Sequence, residues 1–217
     1  MARGTDFGGV HSHRDLHLVQ ASVTVEPAEP KTNFIDVPGA DGSKDFTESP
    51  AGRVVYKTRK ITWVYKLYPG DNWATKYAQV SNAINGRQCK ITLDDDPSYY
   101  YLGRVAVDKH AVDGILHTIT VVATCQPYKL RQTVSTATAS LTTTYKLLPL
   151  LNDRRQVVPT ITVTAETVLL WRGNTFSISA GTHKILDIEL IEGINDLQAK
   201  TTTGTGTITV TYQEGSL

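Results

Sequence analysis

The residues able to do chemistry are few and scattered. His11, His13 and His17 raise the question of a metal, since imidazole is a common ligand. No carboxylate or cysteine completes a ligand spacing and HExxH is absent, so they read as loop and strand-face histidines. Asp94, Asp95 and Asp96 form a dense acidic turn whose oxygens are of the type Ca²⁺ takes, but the EF-hand spacing and its closing Glu are missing. Solvated turn residues are the expectation. Cys89 and Cys125 lack CxxC spacing and read as small buried hydrophobes. There is no GxSxG, no Cys/His nucleophile context and no phosphate-cradling glycine loop ahead of a helix, because GTGT at 204–207 falls between predicted strands. The residues therefore point to a protein that is not an enzyme, with no catalytic residue, no metal and no cofactor.

Aromatic residues leave one binding chemistry open. Trp171, ahead of the turn Arg172-Gly173-Asn174, is the candidate for stacking on a sugar ring, with Tyr145 and Tyr212 elsewhere on the same half of the chain. The ordinary alternative is an inward core tryptophan. Tyr99, Tyr100 and Tyr101 read as core or subunit-interface packing.

Bulk properties narrow the class further. The 217 residues carry 22 Lys+Arg against 21 Asp+Glu, a net charge of +1, which lacks the basic footprint of a dedicated nucleic-acid binder. A hydrophobic share of 40% is ordinary for a globular chain that buries its own core. MARGTDFGGVHSH has no signal-peptide core and no apolar run approaches the ~20 residues of a membrane span. Synthesis in the cytoplasm and no membrane insertion are expected.

The elements that must position these residues centre on the stretch 53–107. From Val54 to Tyr68 the chain alternates, with Val55, Ile61, Trp63, Tyr65 and Leu67 on one face, which predicts one strand far longer than the usual five or six residues. Pro69-Gly70 ends it. Asp71 is placed to cap a helix over 71–85 whose Trp73, Tyr77, Val80 and Ile84 form the stripe that packs on a sheet. Gln88–Leu93 and the run from Tyr99 then read as strands flanking a hairpin loop at the three aspartates.

Residues 1–14 read as a loosely held arm, 16–25 as a strand, and 26–43, with Pro27, Pro30 and Pro38, as a surface connector between strands. Residues 115–130 predict a long strand with Ile115, His117, Ile119, Val121 and Ala123 on one face. The composition then turns to Thr and Ser, and the domain boundary is placed there, giving domains 1–130 and 131–217. Short alternating segments follow: ITVTA, TVLLW, TFSISA, ILDIELIEG and TITVTYQEG, a small antiparallel sandwich.

The order of features supports a resemblance. VEPAEPKTNFIDVPGADGSKDFTE, KTRKITWVYKL, the helix, KITLDDDPSYYYLGRV, PTITVT, SAGTH and the closing TYQEGSL resemble, over nearly the whole chain, the distal tail proteins of long-tailed, non-contractile phages. The resemblance implies a mainly β fold with one helix: an N-terminal β-sandwich plus α-helix, the tail-tube-like ring domain, followed by a small galectin-like β-sandwich. It implies a structural virion protein at the tail tip, a homohexameric ring. Its partners would be the tail tube protein, the tail-associated tip protein and the tape measure protein, with an open channel for tape measure and DNA and no sequence-specific nucleic-acid binding. The over-long strand supplies the physical motive. An apolar ribbon projecting from its own sheet needs a neighbour, which places the subunit interface at Val55, Lys57, Arg59, Ile61, Trp63 and Tyr65. The alternative reading is a carbohydrate-binding module contacting the host envelope through Trp171.

Overall fold

The computed structural model describes residues 3–113 and 116–217; Met1, Ala2 and the expected strand-face residue Ile115 lie outside the described residues. The chain divides into two compact units, Met1–Lys129 and Leu130–Leu217. Each has its own buried apolar cluster.

The first unit contains β1 (Thr5–Phe7), β2 (Val10–His11), β3 (Val19–Val25), β4 (Phe34–Asp36), β5 (Ser43–Asp45), β6 (Arg59–Lys66), α1 (Trp73–Ile84), β7 (Gln88–Leu93), β8 (Tyr99–Asp113) and β9 (Leu116–Cys125). Seven of these strands pair antiparallel in the order β2-β1-β7-β8-β9-β6-β3. The expected N-terminal sandwich is thus one continuous sheet with a helix against it. Its core takes Ile61, Trp63 and Tyr65 from β6, Ile119, Val121 and Ala123 from β9, and Val80 and Ile84 from α1. Alternation along β6 is what makes this possible, because Lys60 and Lys66 face the opposite way and stay exposed.

The expected loose arm is corrected by the same packing. Thr5, Phe7, His11 and Ser12 are buried, and the Phe7 ring meets Trp63 edge to face at 5.1 Å. A ring of this size gains more from the core than the arm loses in freedom. The helix begins two residues later than expected: its N-cap is Asn72, whose Oδ1 accepts from the Thr75 backbone N–H at 3.1 Å, and not Asp71.

The over-long strand is also corrected. β6 has eight residues and is flanked on both edges, by β3 and β9. Upstream of it, Lys57 N–H donates to the Glu29 carbonyl and Lys31 N–H to the Val55 carbonyl, each at 2.7 Å. Residues 54–58 are therefore the return leg of an extended excursion, 26–58, whose base is zipped by backbone bonds within the chain. Its outer part carries the β4–β5 hairpin, and all six residues of these two strands are exposed.

In sequence, β10 (Lys129–Arg131) spans the boundary at 129/130. The second unit then contains β11 (Ser135–Leu141), β12 (Lys146–Asn152), β13 (Thr160–Val163), β14 (Thr167–Trp171), β15 (Asn174–Ile178), β16 (Gly181–His183), β17 (Gly193–Thr201), β18 (Gly206–Tyr212) and β19 (Gly215–Ser216). Two four-stranded sheets, β11-β18-β13-β16 and β12-β17-β14-β15, contribute to one core, which makes this unit a sandwich. Ile161, Val163, Ile208, Val210 and Tyr212 lie in that core as the alternation requires. The segment ILDIELIEG is not the expected strand; Ile188 and Leu190 are buried from a non-strand stretch, Leu186 is 79% exposed, and the strand starts at Gly193. A turn closed by Ile188 N–H on the Ile185 carbonyl at 3.1 Å breaks the alternation.

Candidate functional site

The histidines are held as structure. His11 is buried, and its Nδ1 accepts from the backbone N–H groups of His13 and Arg14, both at 3.2 Å. With that lone pair engaged, the ring proton sits on Nε2, which donates to Asp94 at 3.2 Å. Neither nitrogen is left to take a proton from a substrate or to ligate an ion. His13 uses Nδ1 as donor to the Leu18 carbonyl at 3.2 Å. Among the described residues no group of three or more His, Cys, Asp or Glu side chains could hold a metal.

The three aspartates are each paired with a cation or imidazole. Asp94 takes His11 and the Gly4 N–H, Asp95 takes Arg3 at 3.1 Å, and Asp96 takes Lys129 at 2.8 Å. The Lys129 ammonium, held above its ordinary pKa by the hydrogen bond to Asp96, also lies 4.4 Å over the Tyr99 ring. Four contacts thus tie the turn to the segment ahead of β1, to His11 of β2 and to Lys129.

The thiols are inert for a physical reason. Burial pushes Cys125 up to about 12 and raises Cys89 as well, so neither presents a thiolate at neutral pH. They flank Gly103 across β7, β8 and β9, where a Cβ would collide with the Cys125 Sγ. Gly103 is small because that sulfur occupies its side-chain space.

Trp171 cannot stack on a sugar. It is 3% exposed, within the core of the second unit, with the Arg172 guanidinium 4.9 Å over its ring. Arg172 and Gly173, at φ 48° and 85°, form the two-residue turn that joins β14 to β15. Tyr212 is also buried, its hydroxyl donating to the Leu151 carbonyl at 2.5 Å, and the half-buried Tyr145 has the Lys200 ammonium 4.5 Å from its ring.

The interface residues fall into two groups. Arg59, Ile61, Trp63 and Tyr65 are buried within the first unit, so their side chains have no surface to give to a second copy. Burial also pushes the pKa of the Tyr65 hydroxyl well above its ordinary value, which keeps it protonated. Val55 is half-buried and Lys57 is exposed, paired with Glu29 at 3.2 Å. Both belong to the 26–58 excursion. Of the helix residues, Val80 and Ile84 are buried and Tyr77 is half-buried, while Trp73 lies outside the core, stacked on His110 of β8 with ring centroids 4.3 Å apart.

What the sequence reading missed is the outward face of that excursion. Phe34 is 58% exposed, and Ile35, Val37 and Phe46 are exposed beside it. The signal was present as FIDV among prolines, an apolar run inside a segment otherwise composed as a connector. A second feature is the edge of the sheet: β3 ends the strand order, and VQASVTV contains neither charge nor proline to blunt it.

No family model matches the chain and no curated protein matches it. Among solved structures it is similar to the crystal structure of SPP1 Dit (gp 19.1), described there as a paradigm of the hub adsorption apparatus in Gram-positive-infecting phages. Identity is 17%, the TM-score is 0.67, and the whole of each chain is covered. The chain shares the fold of that phage hub protein from end to end.

Proposed function

We propose that this chain is a structural component of a phage virion, a distal tail protein that self-assembles into the hexameric ring at the tip of a long non-contractile tail. In this reading the ring joins the tail tube to the tip and host-recognition proteins and leaves an open channel for the tape measure protein and DNA. The observation that carries it is the likeness of fold to the SPP1 hub protein over both full lengths, across both compact units. A likeness confined to one sandwich would have supported far less, since such folds serve many functions.

The physical means of assembly differ from those expected from the sequence. β6 is satisfied within its own chain, so it gives no edge to a neighbour. The free features are the β3 edge and the exposed apolar hairpin of the 26–58 excursion. Strand addition at the first and apolar burial at the second are a workable pair for a head-to-tail contact that closes into a ring. Each contact must bury at least ~1,200 Å² to be stable and specific.

Negative-stain imaging of the purified protein, with its mass by light scattering, tests this directly. A hollow six-fold particle is expected. A single-chain mass at micromolar concentration, unchanged on adding the tube protein, overturns the ring.

A further inference from the structure

The sheet of the first unit has two faces, and one of them is left to solvent. Ile61, Trp63 and Tyr65 of β6 lie in the core with Val80 and Ile84 of α1, so the alternate residues Lys60, Thr62, Val64 and Lys66 point the other way. Cross-strand register carries this outer face onto β9 and β8. Lys60 is opposite Thr124, which is opposite Arg104, and Val64 is opposite Thr120, which is opposite Lys109. Arg104 is in turn opposite Gln88, and Lys90 lies two residues beyond Gln88 on β7. Lys60, Lys66, Lys90, Arg104 and Lys109 therefore share one face, and each is exposed. Among the described residues none of them pairs with a carboxylate. β6, β7 and β9 contain no Asp or Glu, and β8 contains Asp108 at its bulge and Asp113 at its last position. Among the cations lie the half-buried Val64 and Val122 and the exposed Ala106.

The opposite charge stands elsewhere in the same unit. Residues 34–48, the outer part of the excursion, hold Asp36, Asp41, Asp45 and Glu48 against Lys44, all of them exposed. Asp36 accepts from the Ser43 hydroxyl and Asp45 from the Thr47 backbone N–H. Among the described residues no cation meets any of the four carboxylates. Phe34, Ile35, Val37 and Phe46 stand in water among them. Two surfaces of opposite charge, each with apolar side chains, are thus both left open by a single copy. We propose that the 34–48 hairpin of one copy docks on the outer sheet face of the next, its carboxylates against the five cations and Phe34 and Ile35 on Val64 and Val122. A second copy fits better than nucleic acid, because the chain as a whole carries only +1. The acid that balances the basic face belongs to the chain itself, whereas a surface kept for phosphates leaves a domain strongly basic. Exposed phenylalanine also gains from an apolar landing, which a phosphate backbone does not use. The two surfaces differ, so the contact is head-to-tail and can close into a ring. It rests on the assembly reading above, and gives the hairpin a surface that receives it.

Charge reversal with rescue tests the contact, read as mass by light scattering on the full chain, with the tube protein added where assembly requires it. Lys60→Glu with Lys66→Glu reverses the face, and Asp41→Lys with Glu48→Lys reverses the hairpin. All four side chains are exposed and without an ion pair, and thermal unfolding checks that each variant folds as the wild type does. Each reversal is expected to weaken self-association by at least about a hundredfold. An equimolar mixture of the two recovers the wild-type mass, because every contact then joins opposite charges: a native hairpin on a native face, or a reversed hairpin on a reversed face. Where a reversal lowers the unfolding midpoint, Lys60→Gln with Lys66→Gln carries the comparison, with a loss of about tenfold. Wild-type mass in either reversed variant, or a mixture that stays at single-chain mass, overturns the pairing of these two surfaces. Rings unchanged by the reversals, with retention of a random-sequence DNA duplex lost in the face variant, assign the face to a polyanion and overturn it too. In these outcomes the wild type still assembles. A wild type that keeps a single-chain mass with and without the tube protein fails the ring reading itself, and the docking with it.

Discussion

β6 and the excursion that leads into it are consecutive in sequence, both contain apolar residues, and dispose of them in opposite ways. In β6 the alternating Ile61, Trp63 and Tyr65 are wholly enclosed, and the strand has hydrogen-bonded neighbours on both sides. In the excursion, Phe34, Ile35, Val37 and Phe46 face solvent from a two-stranded hairpin with no sheet behind it. A two-stranded ribbon has no second layer to bury anything against. The difference separates two roles in this unit: one segment holds the fold, and the next leaves apolar side chains in solvent, which is the surface the proposed assembly uses.

Four variants break or sharpen that contrast. Trp63→Asp places an unpaired carboxylate in a sealed core and is expected to cost at least about 4–5 kcal/mol, abolishing the cooperative unfolding of the first unit by circular dichroism. A well-folded monomer lacking only the ring would return β6 to the role of interface. Trp171→Ala transfers the same logic to the second unit, where a loss of about 3–5 kcal/mol in chemical denaturation is expected. Unchanged stability with loss of polysaccharide binding by isothermal titration would restore the sugar-contact reading.

Ile61→Val removes one enclosed methyl group, and a loss of about 0.5–1.5 kcal/mol is expected from denaturant midpoints. A negligible change would mean that the β6 layer is loosely packed. Phe34→Ser with Ile35→Ser is expected to change monomer stability by no more than about 0.5 kcal/mol while removing the ring from light-scattering and negative-stain measurements. If the double variant still closes rings, the excursion is not the adhesive element and the contrast with β6 loses its functional half.

Much of the fold was legible because its signals are local. The period-two pattern in β6, β9 and β18, the Pro69-Gly70 break ahead of the helix, and the turn between Leu93 and Tyr99 each depend on neighbours in sequence. Asn72 took the cap from Asp71 because a shift of one residue is beyond what propensity resolves, both being good caps. The arm at 3–14 was misread because nothing local announces that Phe7 will find Trp63, a residue 56 positions away. Residues 54–58 were misread because alternation reports which side chains share a face, and is silent on which strand supplies the hydrogen bonds.

By itself, then, the sequence determined a mainly β chain with one helix, the stripe of Val80 and Ile84, and the absence of a recognisable catalytic motif, all set by periodicities of two and 3.6 residues and by turn chemistry. Only the tertiary structure decided which apolar residues are core and which are surface, that Trp171 is enclosed, that His11 has both nitrogens committed, and that Arg59 is buried. The reason is that burial and charge compensation are properties of distant segments brought together, and no residue carries them alone.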